Sequence, residues 1–194
     1  MIMKKQRCYW CKTDSNIEYH DKEWGVPVYD DDKLFEFLIL EGMQAGLSWT
    51  TVLNKRENMR KFFSDFNAKK IKNYTEEYKS FLLNEEGIIR NKLKINALVT
   101  NAEKFLEVQK EFGTFSNYIW KFVDNKPIIN YWKDASELPT SSEISNIMSK
   151  DLKKRGFKFI GTTICYAFME AVGLVNDHTI DCYRHKEIIE NYKN

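Results

Sequence analysis

Only three prolines and eight glycines interrupt the 194 residues of this chain, and the stretches between them carry apolar residues at helical spacing. So few breakers favour long helices over a turn-rich sheet. Leu93, Ala97, Leu98, Ala102, Phe105 and Leu106 mark one face of a helix predicted over 92–112. Further helices are predicted over 76–84, over the aromatic segment Thr114 to Val123, and from Thr162 to Val172, the last closed by Gly173. Asp30, Asp31 and Asp32 form a candidate N-cap cluster ahead of Leu34, Phe35, Phe37, Leu38 and Leu40. The apolar pattern breaks at Gly42 and Gly46 and resumes through Leu47, Trp49, Val52 and Leu53. Thr140, Ser141 and Ser142 can cap another helix with Glu143 in its first turn, and Asp124 to Pro127 reads as a turn. No strand alternates for more than a few residues, and no repeat or linker divides the chain. The expected fold is all-α, one domain over 1–194 made of two closely packed helical lobes.

Thirty basic residues stand against 28 acidic ones, a formal charge of +2. A nucleic-acid partner must then be held by local basic clusters, since the field of the whole chain is weak. The longest apolar runs fall far short of the roughly 20 residues needed to cross a membrane. The basic start, Met1 to Arg7, is followed by no apolar stretch of a secretory signal, so a cytoplasmic protein without membrane contact is expected. In that setting disulfides explain the four cysteines poorly, and metal binding or simple burial is the alternative.

Cys8, Cys11 and His20 stand near the start, and His178, Cys182 and His185 near the end. His178 and Cys182 are four apart, so on a helix they share one face, and Cys8 and His20 could complete a tetrahedral zinc site. An ion bridging both ends would close a very long loop. Spacing alone leaves two other readings open: Cys11 as a rival ligand through its C-x-x-C with Cys8, and unrelated residues of core or surface. Cys165 lies inside an apolar helix as a small buried hydrophobe.

Three segments go further. They are Tyr19-His20-Asp21-Lys22-Glu23-Trp24-Gly25-Val26-Pro27, the run Leu40-Glu41-Gly42-Met43-Gln44-Ala45-Gly46-Leu47-Ser48-Trp49, and Lys153 to Tyr166 continuing into Gly173-Leu174-Val175-Asn176-Asp177-His178. Together, and in order from Arg7-Cys8 to Cys182, they resemble the bacterial DNA-3-methyladenine glycosylase I family. The resemblance implies a helix-hairpin-helix glycosylase fold whose terminal segments are joined by one structural zinc. It implies Cys8, His20, His178 and Cys182 as the ligands, with Cys11 and His185 outside. It implies a monofunctional, monomeric hydrolase that acts on alkylated double-stranded DNA, flips out 3-methyladenine, releases it and leaves an abasic site. It places Tyr19, Trp24, Glu41 and Trp49 in the base pocket, with Gln44 a weaker polar contact.

The residues themselves suit that chemistry. Methylation at N3 gives adenine a positive charge and weakens its bond to the sugar, so selective capture of the cation can do much of the catalytic task. Glu41 sits among Leu38, Ile39, Leu40, Gly42 and Ala45, an unusually apolar setting for an acid, where a carboxylate can accept from the amino edge of the base and offset its charge. Its plainer reading is a cap or a surface charge on a helix. Trp24 and Trp49 can stack on a cationic ring, an interaction worth roughly 0.5–2 kcal/mol, although a single aromatic is more often core.

DNA would be held by a hairpin near 86–94, where Gly87 supports the turn and Arg90 and Lys92 assist backbone amides in gripping a phosphate. The family often has a second glycine where this chain has Leu93. The densest basic run, Lys153, Lys154, Arg155 and Lys158, is interleaved with Phe157 and Phe159 and faces either DNA or plain solvent. Two other functions compete: a zinc module that binds damaged DNA without cutting it, and a helical interaction domain with no nucleic-acid partner. Other methylated purines are cationic too, so charge alone does not choose the substrate.

Overall fold

The structure is a computed structural model that describes residues 5–192; the first four and last two residues of the expected 1–194 domain lie outside the described residues. Its helices are α1 (Asp14–Lys22), α2 (Asp31–Gln44), α3 (Trp49–Phe62), α4 (Ala68–Ile71), α5 (Glu76–Leu82), α6 (Lys92–Phe112), α7 (Phe115–Trp120), α8 (Glu143–Arg155), α9 (Thr162–Ala171) and α10 (Tyr183–Asn191). Side-chain caps define most of their starts. Thr13, Asp30, Ser48, Thr75, Asn91, Thr114 and Ser142 each accept a hydrogen bond from an amide of the first turn, which satisfies donors that a helix leaves open. The aspartate cluster divides its labour. Asp30 caps α2, whereas the Asp31 carboxylate accepts from the amides of Phe115 and Ser116, each at 2.8 Å, and so caps α7 from a distance.

The periodic segments fall near where the pattern put them, except that α5 stops at Leu82 and the helix expected over Thr114 to Val123 ends at Trp120, where a 3₁₀ turn over Lys121–Val123 takes over. Helices α1 and α10 are not named from the sequence. In α1 (DSNIEYHDK) and α10 (YRHKEIIEN) polar residues dominate, and both are stabilised by what they pack against. A parallel pairing of β1 (Ile128–Ile129) with β2 (Val175–Asn176) also departs from an all-helical reading. Each strand has two residues, too few for an alternation to register. A second difference concerns His178 and Cys182, which lie in the turn between β2 and α10, where the Cys182 amide donates to Thr179 O at 2.8 Å. Among the described residues no helix is long and apolar enough to cross a membrane.

Helix α2 is the centre of the architecture. Every residue from Leu34 to Met43 is buried, because α2 packs against α3, α6, α7 and α9 at once. A helix apolar all round belongs in such a place. The segment joining α1 to α2 is tied to the end of α9: the Gly25 amide donates to Glu170 O at 2.9 Å and that of Val28 to Val172 O at 3.0 Å. Gly25 has φ +77°, and a Cβ there would stand 3.1 Å from the His178 ring, so only glycine fits.

A buried ionic network locks α3 to this segment. Arg56 donates through Nε to Glu36 and through both terminal nitrogens to Glu23, all at 2.8 Å, and Arg60 Nε meets the same Glu36 oxygen at 2.8 Å. Arg56 is only 6% exposed, so removing it strands Glu36 without its main partner. Arg56→Met should cost about 3–5 kcal/mol of stability, read from urea unfolding; a loss below about 1 kcal/mol would show the network to be incidental.

Candidate active site and metal centre

Four residues from the two ends of the chain converge. The ligating atoms of Cys8, His20, His178 and Cys182 all lie within 4.8 Å of one another, and all four residues are buried. His178 Nε2 is 3.0 Å from the Trp24 carbonyl oxygen, to which it donates, leaving Nδ1 to face the sulfurs of Cys8 and Cys182 at 3.5 and 3.4 Å. His20 Nδ1 donates to Asp21 at 2.8 Å, leaving Nε2 to face Cys182 Sγ at 3.3 Å. Asp21 is in turn gripped by Arg7 at 2.7 Å; burial pushes its carboxyl up, yet Arg7 and His20 hold it well below the usual range. Each imidazole is thus oriented through its far nitrogen, as metal-binding histidines are. Burial lowers the His178 pKa and keeps the ring neutral, the form that binds a metal. A tetrahedral ion with bonds of about 2.0–2.3 Å needs donors roughly 3.3–3.8 Å apart, and the closest pairs already match. The cluster could therefore bind a metal. Cys11 is half-buried outside it, and His185 Nε2 is paired with Asn130 O at 2.8 Å.

The Trp24 backbone joins this cluster to a cavity of about 420 Å³. Its walls come from Tyr19 on α1, Trp24, Glu41 and Gln44 on α2, Trp49 and Thr50 at the start of α3, and Glu170 on α9. The indole of Trp24 stands 4.5 Å from the His178 ring at 74°, and Tyr19 leans on Trp49 at 5.2 Å. Glu41 is 4% exposed, and among the described residues no hydrogen bond or ion pair engages its carboxyl. Burial alone pushes its pKa up to about 8. Tyr19 rises for the same reason, with Glu41 adding to the shift. In Trp49, another wall residue, the Nε1 donor is buried without a partner among the described residues. An unpartnered carboxyl therefore faces an aromatic cavity that has, among the described residues, no basic residue in its wall. Such a site suits a flat, cationic ring that offers N–H groups.

All five residues expected at a base pocket line this cavity, although Gln44 also donates to Leu47 O at 3.3 Å and closes the turn after α2. Trp10, Asn16 and Glu170 are among the wall residues that escaped the sequence reading. Trp10 packs edge-on against Trp24 at 5.1 Å, and Asn16 ties α1 to α3 by accepting from Thr50 at 3.1 Å. Glu170 is a second acid; burial pushes its carboxyl up, and Asp177 and Glu41 add to the shift. A lone acid in the apolar run Thr162 to Val172 was the available signal for it.

The expected DNA-contact residues are dispersed more widely. Gly87 holds its place by close packing: a Cβ there would come within 2.9 Å of the Asn58 side chain on α3. Arg90 and Lys92 are exposed beside it, Arg90 only 3.9 Å from Glu86 in a loose pair. Asn91 Oδ1 accepts from the amides of Leu93 and Lys94, so these are not free for a phosphate. Lys153 and Lys154 are exposed at the end of α8, and exposed Lys158 shares an apolar groove with Leu93 and Phe159 at the start of α6. Arg155 departs from the expectation. Its guanidinium is paired with Glu111 at 2.7 Å and Asp151 at 2.9 Å and lies over the rings of Phe112 and Tyr118, which makes it a structural clamp. Phe157 is core, while Phe159 has a left-handed backbone at φ +54°.

Known proteins place this arrangement. The profile of the methyladenine glycosylase family matches residues 10–185. DNA-3-methyladenine glycosylase 1 of Escherichia coli (strain K12) is 49% identical over 178 residues, which cover 91% of this chain and 95% of that protein. A crystal structure of 3-methyladenine DNA glycosylase I superposes with a TM-score of 0.90 at 49% identity, covering 92% of this chain and 98% of the other. A variant of a 3-methyladenine DNA glycosylase I solved in complex with 3-methyladenine matches with a TM-score of 0.87 at 36% identity, over 89% and 92% of the two chains.

One property of the cavity can be measured without any ligand. Carbon-13 NMR of glutamate-labelled protein should show the Glu41 carboxyl, assigned by its loss in Glu41→Gln, titrating at about 8. A midpoint near the ordinary 4.5 would mean that the carboxyl is solvated.

Proposed function

The chain belongs to the methyladenine glycosylase family, and from that premise we propose that it removes N3-methylated adenine from DNA by hydrolysing the N-glycosidic bond. The observation that carries the reading is the buried, unpaired Glu41 carboxyl in an aromatic cavity without a counter-charge. Such a wall is poorly matched to a neutral purine and well matched to a cation.

The target nucleotide must leave the duplex to reach the cavity. Glu41 accepts from the amino edge of the flipped base while Trp24 and Trp49 cover its faces. As the bond between C1′ and N9 breaks, its electron pair passes into the cationic ring, which departs as neutral 3-methyladenine. Water adds to C1′ and loses a proton, leaving an abasic sugar. The leaving group is already activated, so Glu41 acts through recognition and charge. Methylated purines of other shape are tested by the same cavity walls.

The four-residue cluster is proposed to hold one structural zinc ion. Two thiolates and two imidazoles are donors that zinc favours, and four protein ligands leave no open position for substrate or water. Its contribution is to fix Trp24 and both chain ends. DNA is proposed to lie along the hairpin and the exposed cations, with Gly87 setting the turn and Arg90, Lys92, Lys153, Lys154 and Lys158 meeting phosphates.

Glu41→Gln should keep the fold and lose on the order of 100-fold in excision from methylated DNA, the scale for one partner of a buried charge pair. In the wild type kcat/KM should rise with pH up to about 8, where the free carboxyl titrates, and then level; the variant should show no such rise. Unchanged release by the variant would remove Glu41 from the reaction. Metal analysis should find about one zinc per chain, lost in His178→Ala; a metal-free native protein would overturn the zinc assignment.

A further inference from the structure

Tyr9 lines the base cavity and is 62% exposed, whereas Tyr19, Trp24 and Glu41 in the same wall are buried. Among the described residues that line the cavity, Tyr9 alone is mostly exposed. The buried three therefore form the floor, and Tyr9 stands at the mouth. Among the described residues no hydrogen bond engages its hydroxyl. A single exposed aromatic is ordinary on a protein surface; the mounting of this one is not.

The backbone of Tyr9 is fixed on both sides. The Cys11 amide donates to Cys8 O at 3.2 Å and the Lys12 amide to Trp10 O at 2.9 Å, which closes a tight turn around it. Cys8 belongs to the buried cluster of thiols and imidazoles. Trp10 packs edge-on against Trp24 at 5.1 Å and His20 at 5.4 Å, and the Asn16 side chain donates to the Trp10 carbonyl at 3.2 Å. A tyrosine has only two side-chain torsions to order, so such a mount presents its ring at small entropic cost.

A base bound at Glu41 fills the floor of the cavity while its sugar stays joined to the strand outside. The glycosidic bond then lies between floor and mouth, and the deoxyribose lies at the level of Tyr9. We propose that Tyr9 is a further substrate-binding residue, whose ring packs on the deoxyribose of the extruded nucleotide and holds C1′ at the cavity mouth. The broad apolar face of an aromatic ring suits the C–H surface of a sugar. The inference rests on the proposed glycosylase activity. It gives the base to the floor and the sugar to the mouth, so a free base and a base carried by a duplex respond differently to loss of the ring.

The test compares wild type, Tyr9→Ala and Tyr9→Phe in their affinity for three ligands. These are free 3-methyladenine, followed by tryptophan quenching, a methylated duplex whose 2′-fluorinated sugar resists hydrolysis, and the same duplex unmethylated. Release of 3-methyladenine by the wild type tests the activity itself, so the two ideas fail separately. In Tyr9→Ala, affinity for the methylated duplex should fall about fivefold or more, while the other two affinities stay within about twofold. Tyr9→Phe, which keeps the ring, should match the wild type. Tyr9→Leu, apolar but without a ring face, should resemble the alanine variant and carries the test if that variant does not fold. Unchanged affinity for the methylated duplex, an equal loss on both duplexes, an equal loss on the free base, or a loss in Tyr9→Phe as large as in Tyr9→Ala would overturn the inference.

Discussion

The carboxyl of Glu41 is buried in the central helix α2, and among the described residues nothing neutralises it. Transferring a carboxylate out of water costs several kcal/mol unless it is paired, so the empty cavity keeps a proton there instead. Under the proposed function, that proton marks the place of the ligand's charge. A neutral base gains little from displacing it, whereas a cationic base exchanges an isolated acid for an ion pair. The aromatic walls work in the same direction, because indole faces favour a positive ring. Selectivity for alkylated bases thus follows from an imbalance that the fold maintains.

Maintaining it requires the walls to stay fixed, and three devices do so. The cluster of Cys8, His20, His178 and Cys182 gathers both ends of the chain and reaches the cavity through Trp24, whose carbonyl accepts from His178 and whose indole packs on the His178 ring. The network of Arg56, Glu23 and Glu36 seats α3 next to the same tryptophan. Lys94 secures the other end of α2. The cavity is therefore bounded by residues whose partners lie far off in sequence, which gives pre-organisation at the cost of long-range order.

Much of this was legible in the sequence, for reasons that differ from element to element. The helix at 92–112 was plain because its apolar face persists over several turns, and the cap at Asn91 begins it. Glu41 was visible as an acid in an apolar run. Spacing alone left the grouping of Cys8, His20, His178 and Cys182 open, since no rule joins position 8 to position 178; the family resemblance supplied the grouping that the structure brings together. What stayed hidden was tertiary. The polar helices α1 and α10 exist through packing, Asp31 caps a helix about 84 residues away, and Arg155 is paired with acids that no local pattern foretells. Trp10 and Asn16 join the cavity only because α1 folds back over α3.

Under the proposed function, a methylated base exchanges its charge for the proton on Glu41. Calorimetry in buffers of differing ionisation enthalpy counts protons directly, using a methylated duplex whose 2′-fluorinated sugar resists hydrolysis. With a carboxyl that titrates at about 8, binding at pH 7 should release about 0.9 proton per complex, and an unmethylated duplex should release none. Binding of the methylated duplex with no proton released would contradict the account.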